Sequence, residues 1–282
     1  MKKDYFISSS IAVSVIMVAG TFAYTALRDD PVQIPRQSQS EEVEEVVLPV
    51  SWGDLGAKMI EAGVIDAEKF ENLYGNELNE EAEQLLYGNN SGNLKITEQN
   101  SGILLNLLWA FGLGNKNEIL ESGPMTDVRY GGAGNFASTA GWILAKGDAM
   151  DHYSSYSFVV LTQEQQDLVE RVSKGIYRPC CGNSTYFPDC NHGMAMLGFL
   201  ELMASQGVGE GDMYYYALKV NSYWFPDTYL AIEKFFEKRG ISFEKVNPRE
   251  VLGFDYSSAQ GYQRILKEIE PVQSSGGGGC GV

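Results

Sequence analysis

Residues 101–114 read Ser-Gly-Ile-Leu-Leu-Asn-Leu-Leu-Trp-Ala-Phe-Gly-Leu-Gly, and Ile103, Leu104, Leu105, Leu107, Leu108, Trp109, Phe111 and Leu113 would cover nearly every face of a helix. A surface helix carries one apolar stripe, whereas a segment apolar all round has to be enclosed by the rest of the protein. Thr97-Glu98-Gln99, just upstream, is a suitable helix start. The segment is therefore expected to be the central core helix.

Working outward, apolar residues recur at spacings of three and four from Ser51 onward, in Trp52, Leu55, Met59 and Ile60 and again in Phe70, Leu73 and Tyr74, which predicts short helices opening the domain. Downstream, Thr162-Gln163-Glu164-Gln165 has the capping-box form and leads into Leu168, Val169 and Val172, an amphipathic helix ending near Gly175. The next helix is expected to start around Asp189 to Asn191, run through Met194, Leu197, Leu200 and Met203, and stop at Gly207. Two aromatic helices follow, Asp212 to about Tyr223 and Asp227 to Lys238, separated by Pro226 and closed by Gly240. Runs of period two are scarce, Tyr156 to Leu161 being the passable one. The expected fold class is mainly α: a single globular multi-helix domain, residues 50–272, after an N-terminal membrane helix.

That membrane helix is read from residues 1–27. Phe6 to Leu27 is uncharged and, at about 1.5 Å per residue, long enough to cross about 30 Å of hydrocarbon. Lys2 and Lys3 precede it, while Arg28, Asp29 and Asp30 follow. The positive-inside bias then puts the N-terminus in the cytoplasm and the domain outside a single-pass anchor. Ile11 to Gly20 followed by Thr21-Phe22-Ala23 also fits a cleaved signal peptide, the alternative being a secreted domain. Residues 28–49 read as a disordered acidic linker, and residues 273–282, QSSGGGGCGV, as a flexible Gly-rich tail carrying Cys280.

With 44% hydrophobic and 12% aromatic residues the chain has ample material for a packed core and is not a disordered polypeptide. Its net charge of −16 repels phosphate backbones and anionic lipid, which excludes nucleic acid as a partner. The partners expected are the membrane itself, through the N-terminal helix, and a protein or glycan of the cell envelope.

Rare residue types concentrate in Arg178-Pro179-Cys180-Cys181-Gly182-Asn183-Ser184-Thr185-Tyr186-Phe187-Pro188-Asp189-Cys190-Asn191-His192. Of four cysteines and two histidines in the chain, three cysteines and one histidine fall here. Thiolate and imidazole are the ligands that suit Zn²⁺ and Cu(I), so Cys180, Cys181, Cys190 and His192 form a candidate Cys₃His set. Cys190 and His192 sit where the next helix should begin, and the amide groups and dipole of a helix start favour a thiolate. Met194, Met196, His152 and Cys280 are further candidate ligands. A plain disulfide from Cys190 to Cys180 or Cys181 is the competing reading, worth about 2–3 kcal/mol to a folded loop of this size. The spacing matches neither a zinc finger nor a Cys-x-x-Cys redox motif.

Most named enzyme classes lack their marks, since the chain has no His-Glu-x-x-His, Gly-x-Ser-x-Gly, P-loop or dinucleotide fingerprint. One passage, Glu121-Ser122-Gly123 followed by Tyr130-Gly131-Gly132-Ala133-Gly134-Asn135-Phe136-Ala137-Ser138-Thr139-Ala140, resembles the lytic transglycosylase pattern of peptidoglycan cleavage over about twenty residues. The resemblance implies that Glu121 is the acid that protonates the glycosidic oxygen. The passage departs from the pattern in a shortened spacer and in lacking the Gln expected after the glycine pair. The sequence thus points first to a membrane-tethered extracytoplasmic protein with a Cys/His soft-metal site, Zn or Cu, in metal handling or electron transfer. The alternatives are an enzyme, by thiol-disulfide exchange or by glycan cleavage through Glu121, and a disulfide-stapled interaction module whose Tyr214, Tyr215, Tyr216, Tyr223 and Trp224 bind a partner.

Overall fold

The computed structural model describes residues 45–75 and 78–269, which are mainly helical with one two-stranded sheet. Strand β1 (Val46–Gly53) pairs antiparallel with β2 (Asn90–Ile96), with irregular register at Ser51 and Gly53. Between them lie α1 (Leu55–Ala62), α2 (Ala67–Leu73) and α3 (Glu80–Tyr87). The side chains of Asp66 and Asn79 cap α2 and α3 by accepting from Lys69 N and Ala82 N.

Strand β1 corrects two sequence expectations at once. Its residues 46–49 fall in the segment read as linker, and Trp52, read as opening a helix, is in the strand; the helix begins at Leu55. Leu48, Val50 and Trp52 are buried while Val47 is exposed, an alternation of period two that the boundary drawn at residue 49 cut in half. Trp52 locks the strand onto the helices by donating its indole N–H to Leu85 O at 2.8 Å. Tyr156 to Leu161, in contrast, forms no strand: Tyr156 makes an isolated bridge to Asn115, and Val160 projects into solvent.

The all-apolar run is α4 (Ser101–Gly114), in which ten consecutive or near-consecutive residues from Leu104 to Gly114 are buried. Short α5 (Glu118–Ser122) and α6 (Ala137–Ala140) lead to α7 (Gln163–Ser173), whose Thr162–Gln165 capping box forms as expected. Helix α8 (Asn191–Ser205) is the second element buried nearly all round. It crosses α4 with the backbones in contact. A Cβ at Gly112 would lie 2.2 Å from Met194 O, and one at Gly198 would lie 2.6 Å from Leu108 O. Two helices that each hide every face have to meet at residues without side chains if they are to lie this close.

Helices α9 (Glu210–Trp224) and α10 (Pro226–Glu237) continue the chain, with Pro226 at the first turn of α10. Then come α11 (Pro248–Val251), α12 (Phe254–Ser257) and α13 (Ala259–Leu266). Tyr229, Ile232, Phe236, Val251, Ile265 and Ile269 make a second, smaller apolar cluster under α10 and α13. The expected membrane helix, nearly all of the linker and the Cys280 tail lie outside the described residues. Among the described residues, no helix is long and apolar enough to cross a membrane.

Candidate metal centre

The segment between α7 and α8 turns back on itself before delivering Cys190 to the helix start. Tyr177 and Ser184 pair across the turn, Thr185 N donates to Ile176 O at 2.8 Å and Tyr186 N to Ser173 O at 3.1 Å. Cys180 and Cys181 occupy the tip, and Cys181 O accepts from Ala259 N at 2.9 Å, which pins the tip to the start of α13. Cys190 is the N-cap residue of α8, at the positive end of a 15-residue helix, and its side chain makes no capping hydrogen bond there.

Within this turn the ligand atoms of Cys180, Cys190 and His192 lie within 4.8 Å of one another, and the group can hold a metal ion. The sulfurs of Cys180 and Cys190 are 3.6 Å apart, and the described cysteines are free thiols. Cys180 is exposed and Cys190 half-buried, while His192 is buried, its ring packed against Phe225 with centroids 4.4 Å apart and edge-on to Trp224. The site thus runs from solvent at Cys180 to a fixed imidazole inside.

Cys181, Asp189 and Cys190 form a second such group. Asp189, however, already has both oxygens engaged: Oδ1 accepts from Arg178 Nη2 at 2.6 Å and Oδ2 from Asn183 Nδ2 at 2.8 Å. Cys181 turns its thiol toward Asn183 O and Asp189 Oδ1, each 3.8 Å away. The first group, two sulfurs and an imidazole, contains no carboxylate already committed to an ion pair.

Arg178 holds the turn together, and nothing in the sequence pattern singled it out. It is 1% exposed. Its Nε donates to Cys190 Sγ at 3.0 Å, Nη1 to Asn183 O at 3.1 Å, and Nη2 to Phe187 O at 3.0 Å as well as to Asp189. A buried guanidinium is tolerated only when its donors and its charge are matched, and here one carboxylate and one sulfur match them. Gly193 makes room, because a Cβ there would lie 2.5 Å from the guanidinium carbon. Hydrogen bonds with the Cys180 and Cys181 thiols, reinforced by the Arg178 charge and a hydrogen bond from His192, hold Cys190 well below the usual thiol range despite its burial. Cys180 is pushed the other way, chiefly because its hydrogen bonds to Cys181 and Cys190 favour the protonated form.

The other candidates are placed differently. Met194 and Met196 are fully buried in the main apolar cluster. His152 has both ring nitrogens engaged, Nδ1 with Tyr156 Oη at 2.9 Å and Nε2 with Lys146 O at 2.7 Å, so it is a structural link. Cys280 lies outside the described residues. Glu121 lines a cavity of about 230 Å³ with Lys116, Asn117 and Gln166. Its side chain is 43% exposed and stands 3.7 Å from Lys116 Nζ.

A second buried ionisable group also escaped sequence reasoning. Glu201 on α8 is fully buried, and its Oε2 accepts from Asn115 Nδ2 at 2.6 Å. Burial raises its carboxyl well above the ordinary range. The available signal was a single charge, Leu200-Glu201-Leu202, inside an otherwise apolar helix. Comparison of the chain with protein-family models, with curated proteins and with solved structures gave no match.

Proposed function

We propose that Cys180, Cys190 and His192 form an exchangeable site for one soft metal ion, Zn²⁺ or Cu(I), and that the protein handles metal on a domain tethered outside the cytoplasm. The observation that carries this reading is the convergence of two sulfurs and one imidazole within 4.8 Å. Two thiolates and a neutral imidazole suit both ions: as three of four ligands for zinc, with a position left open, or as a trigonal set for copper. Cys180, an exposed residue at the tip of the turn, gives an incoming ion a path, and the net charge of −16 draws cations toward the surface.

Exchange is favoured over a structural role by Arg178. A structural zinc supplies the folding energy of its loop, whereas here four donor contacts from one arginine already hold the turn. Metal handling is favoured over electron transfer because a blue-copper site uses two imidazoles and a weak axial thioether, while the group has one histidine and Met194 and Met196 are packed in the core.

The test is elemental analysis and a free-thiol count on full-length protein purified without chelator. The expected result is about one Zn²⁺ or Cu(I) per chain, lowered by His192→Ala and by Cys190→Ser, since a three-ligand set has no redundancy. Metal-free protein with Cys190 in a disulfide, and a His192→Ala variant of unchanged stability, would leave only a covalent clip.

A further inference from the structure

The geometry points to a second activity of the same turn: Cys180 and Cys190 form a thiol–disulfide exchange pair for small or peptide disulfides, in which Cys180 is the sulfur that meets the partner and Cys190 the sulfur that resolves. This goes beyond metal handling and does not depend on it, although a bound metal and a Cys180–Cys190 disulfide exclude each other.

Three features assign the roles. The sulfurs are 3.6 Å apart, so side-chain rotation has to close roughly 1.5 Å to reach a disulfide bond length of about 2.05 Å. Cys180 is exposed and Cys190 is half-buried at the helix start, so a disulfide from outside reaches Cys180. Arg178 Nε, 3.0 Å from Cys190 Sγ, faces the charge that develops on that sulfur when it leaves. Cys181 lies close to Cys190 as well, but its thiol is aimed at Asn183 O and Asp189 Oδ1, and Cys180 is the more exposed of the two.

In the forward direction the Cys180 thiol passes its proton to the Cys190 sulfur, 3.6 Å away, and the Cys180 sulfur attacks one sulfur of the partner disulfide. A bond forms between them and the partner's other sulfur leaves as a thiolate that takes a proton from water. Cys190 Sγ then attacks Cys180 Sγ, forming the intramolecular disulfide and releasing the second partner thiolate. Two protein thiols lose two electrons and two protons, and the partner disulfide is reduced to two thiols. In reverse, a partner thiolate attacks the exposed Cys180 sulfur and Cys190 departs toward Arg178. Stabilising the leaving thiolate favours the reduced protein, so the oxidised pair is expected to pass its disulfide on to partner dithiols.

The experiment uses the full chain carrying Cys280→Ser, stripped of metal and held without oxygen, with oxidised glutathione as the probe. Peptide mapping is expected to find a Cys180–Cys190 disulfide and two reduced glutathiones released per chain. Adding Cys190→Ser should stop the reaction at a glutathione adduct on Cys180, and Cys180→Ser should slow it about tenfold or more, because the remaining sulfurs are less accessible. Cys181→Ser should leave the rate within about twofold of its parent. A Cys181–Cys190 bond in place of Cys180–Cys190, or a Cys180 adduct that persists with Cys190 intact, would overturn the pair. Metal content of the reduced protein is read separately: disulfide exchange without metal binding would sink the metal reading alone, and metal binding without exchange would sink this one alone.

Discussion

The middle and the start of α8 show two ways of making a protein interior. At its middle the helix crosses α4 through Gly112 and Gly198, and everything there is apolar contact and backbone proximity. At its start, five residues before Gly198, the same helix presents Gly193 to a buried arginine, and the contacts are hydrogen bonds to a sulfur, a carboxylate and two carbonyls. The crossing is fixed by shape alone and does nothing chemical. The turn is fixed by one polar side chain, which brings two sulfurs and an imidazole within 4.8 Å of one another.

The largest effect is expected at the crossing. Gly112→Leu would drive a side chain into Met194 O and should cost about 5 kcal/mol or more, comparable with the whole stability of a domain, so that far-UV circular dichroism shows no cooperative native state. Arg178→Ala strikes the other end. It leaves Asp189 and Cys190 without their buried cation and should cost about 3 kcal/mol by denaturant unfolding, while the crossing persists and helical content is retained. If Arg178→Ala abolished the native state as Gly112→Leu does, the two regions would not be separable.

Glu201 adds a pH-dependent contrast within the same helix. Its folded carboxyl is raised by burial, so the stability it contributes is fully present below the unfolded value of about 4.3 and is lost as pH rises through the folded value. Glu201→Gln keeps the bond from Asn115 without the proton. The variant should match wild type at pH 4 and become progressively the more stable protein toward pH 8; parallel pH curves would show Glu201 to be ionised in the fold. The smallest effect expected is at the capping box: Thr162→Ala should lose about 1 kcal/mol without touching metal binding, read by unfolding and metal titration together.

The same contrast explains what was legible in the sequence. The apolar run Ile103–Leu113 announced one enclosed helix, since periodicity reports which faces are hidden; Met194, Leu197, Leu200 and Met203 announced a second helix, and its enclosure on nearly every face came from the structure. Strand β1 was misread because its alternating Leu48, Val50 and Trp52 straddled a composition boundary, with acidic residues before it and helical spacing after it. At the site, Cys180, Cys190 and His192 were visible as rare residues close in sequence. Cys181 falls in a second group with Asp189 and Cys190, a division of the cluster that spacing alone does not draw. Arg178 and Asp189 were invisible in their roles: a charged residue in a polar loop reads as solvated, and only the three-dimensional path of Asn183, Phe187 and Cys190 around the guanidinium makes it an interior group.

Arginine, and not metal, is expected to hold the turn in its present form. Native-state hydrogen exchange tests it directly, by comparing the full-length protein after chelation with the same protein after one equivalent of Zn²⁺ is restored. The amides of Thr185, Tyr186 and Phe187, bonded to Ile176 O, Ser173 O and Ser184 O, are expected to exchange at closely similar rates in both states. Loss of their protection on chelation, with recovery when zinc returns, would show that the metal builds the turn and would contradict the account.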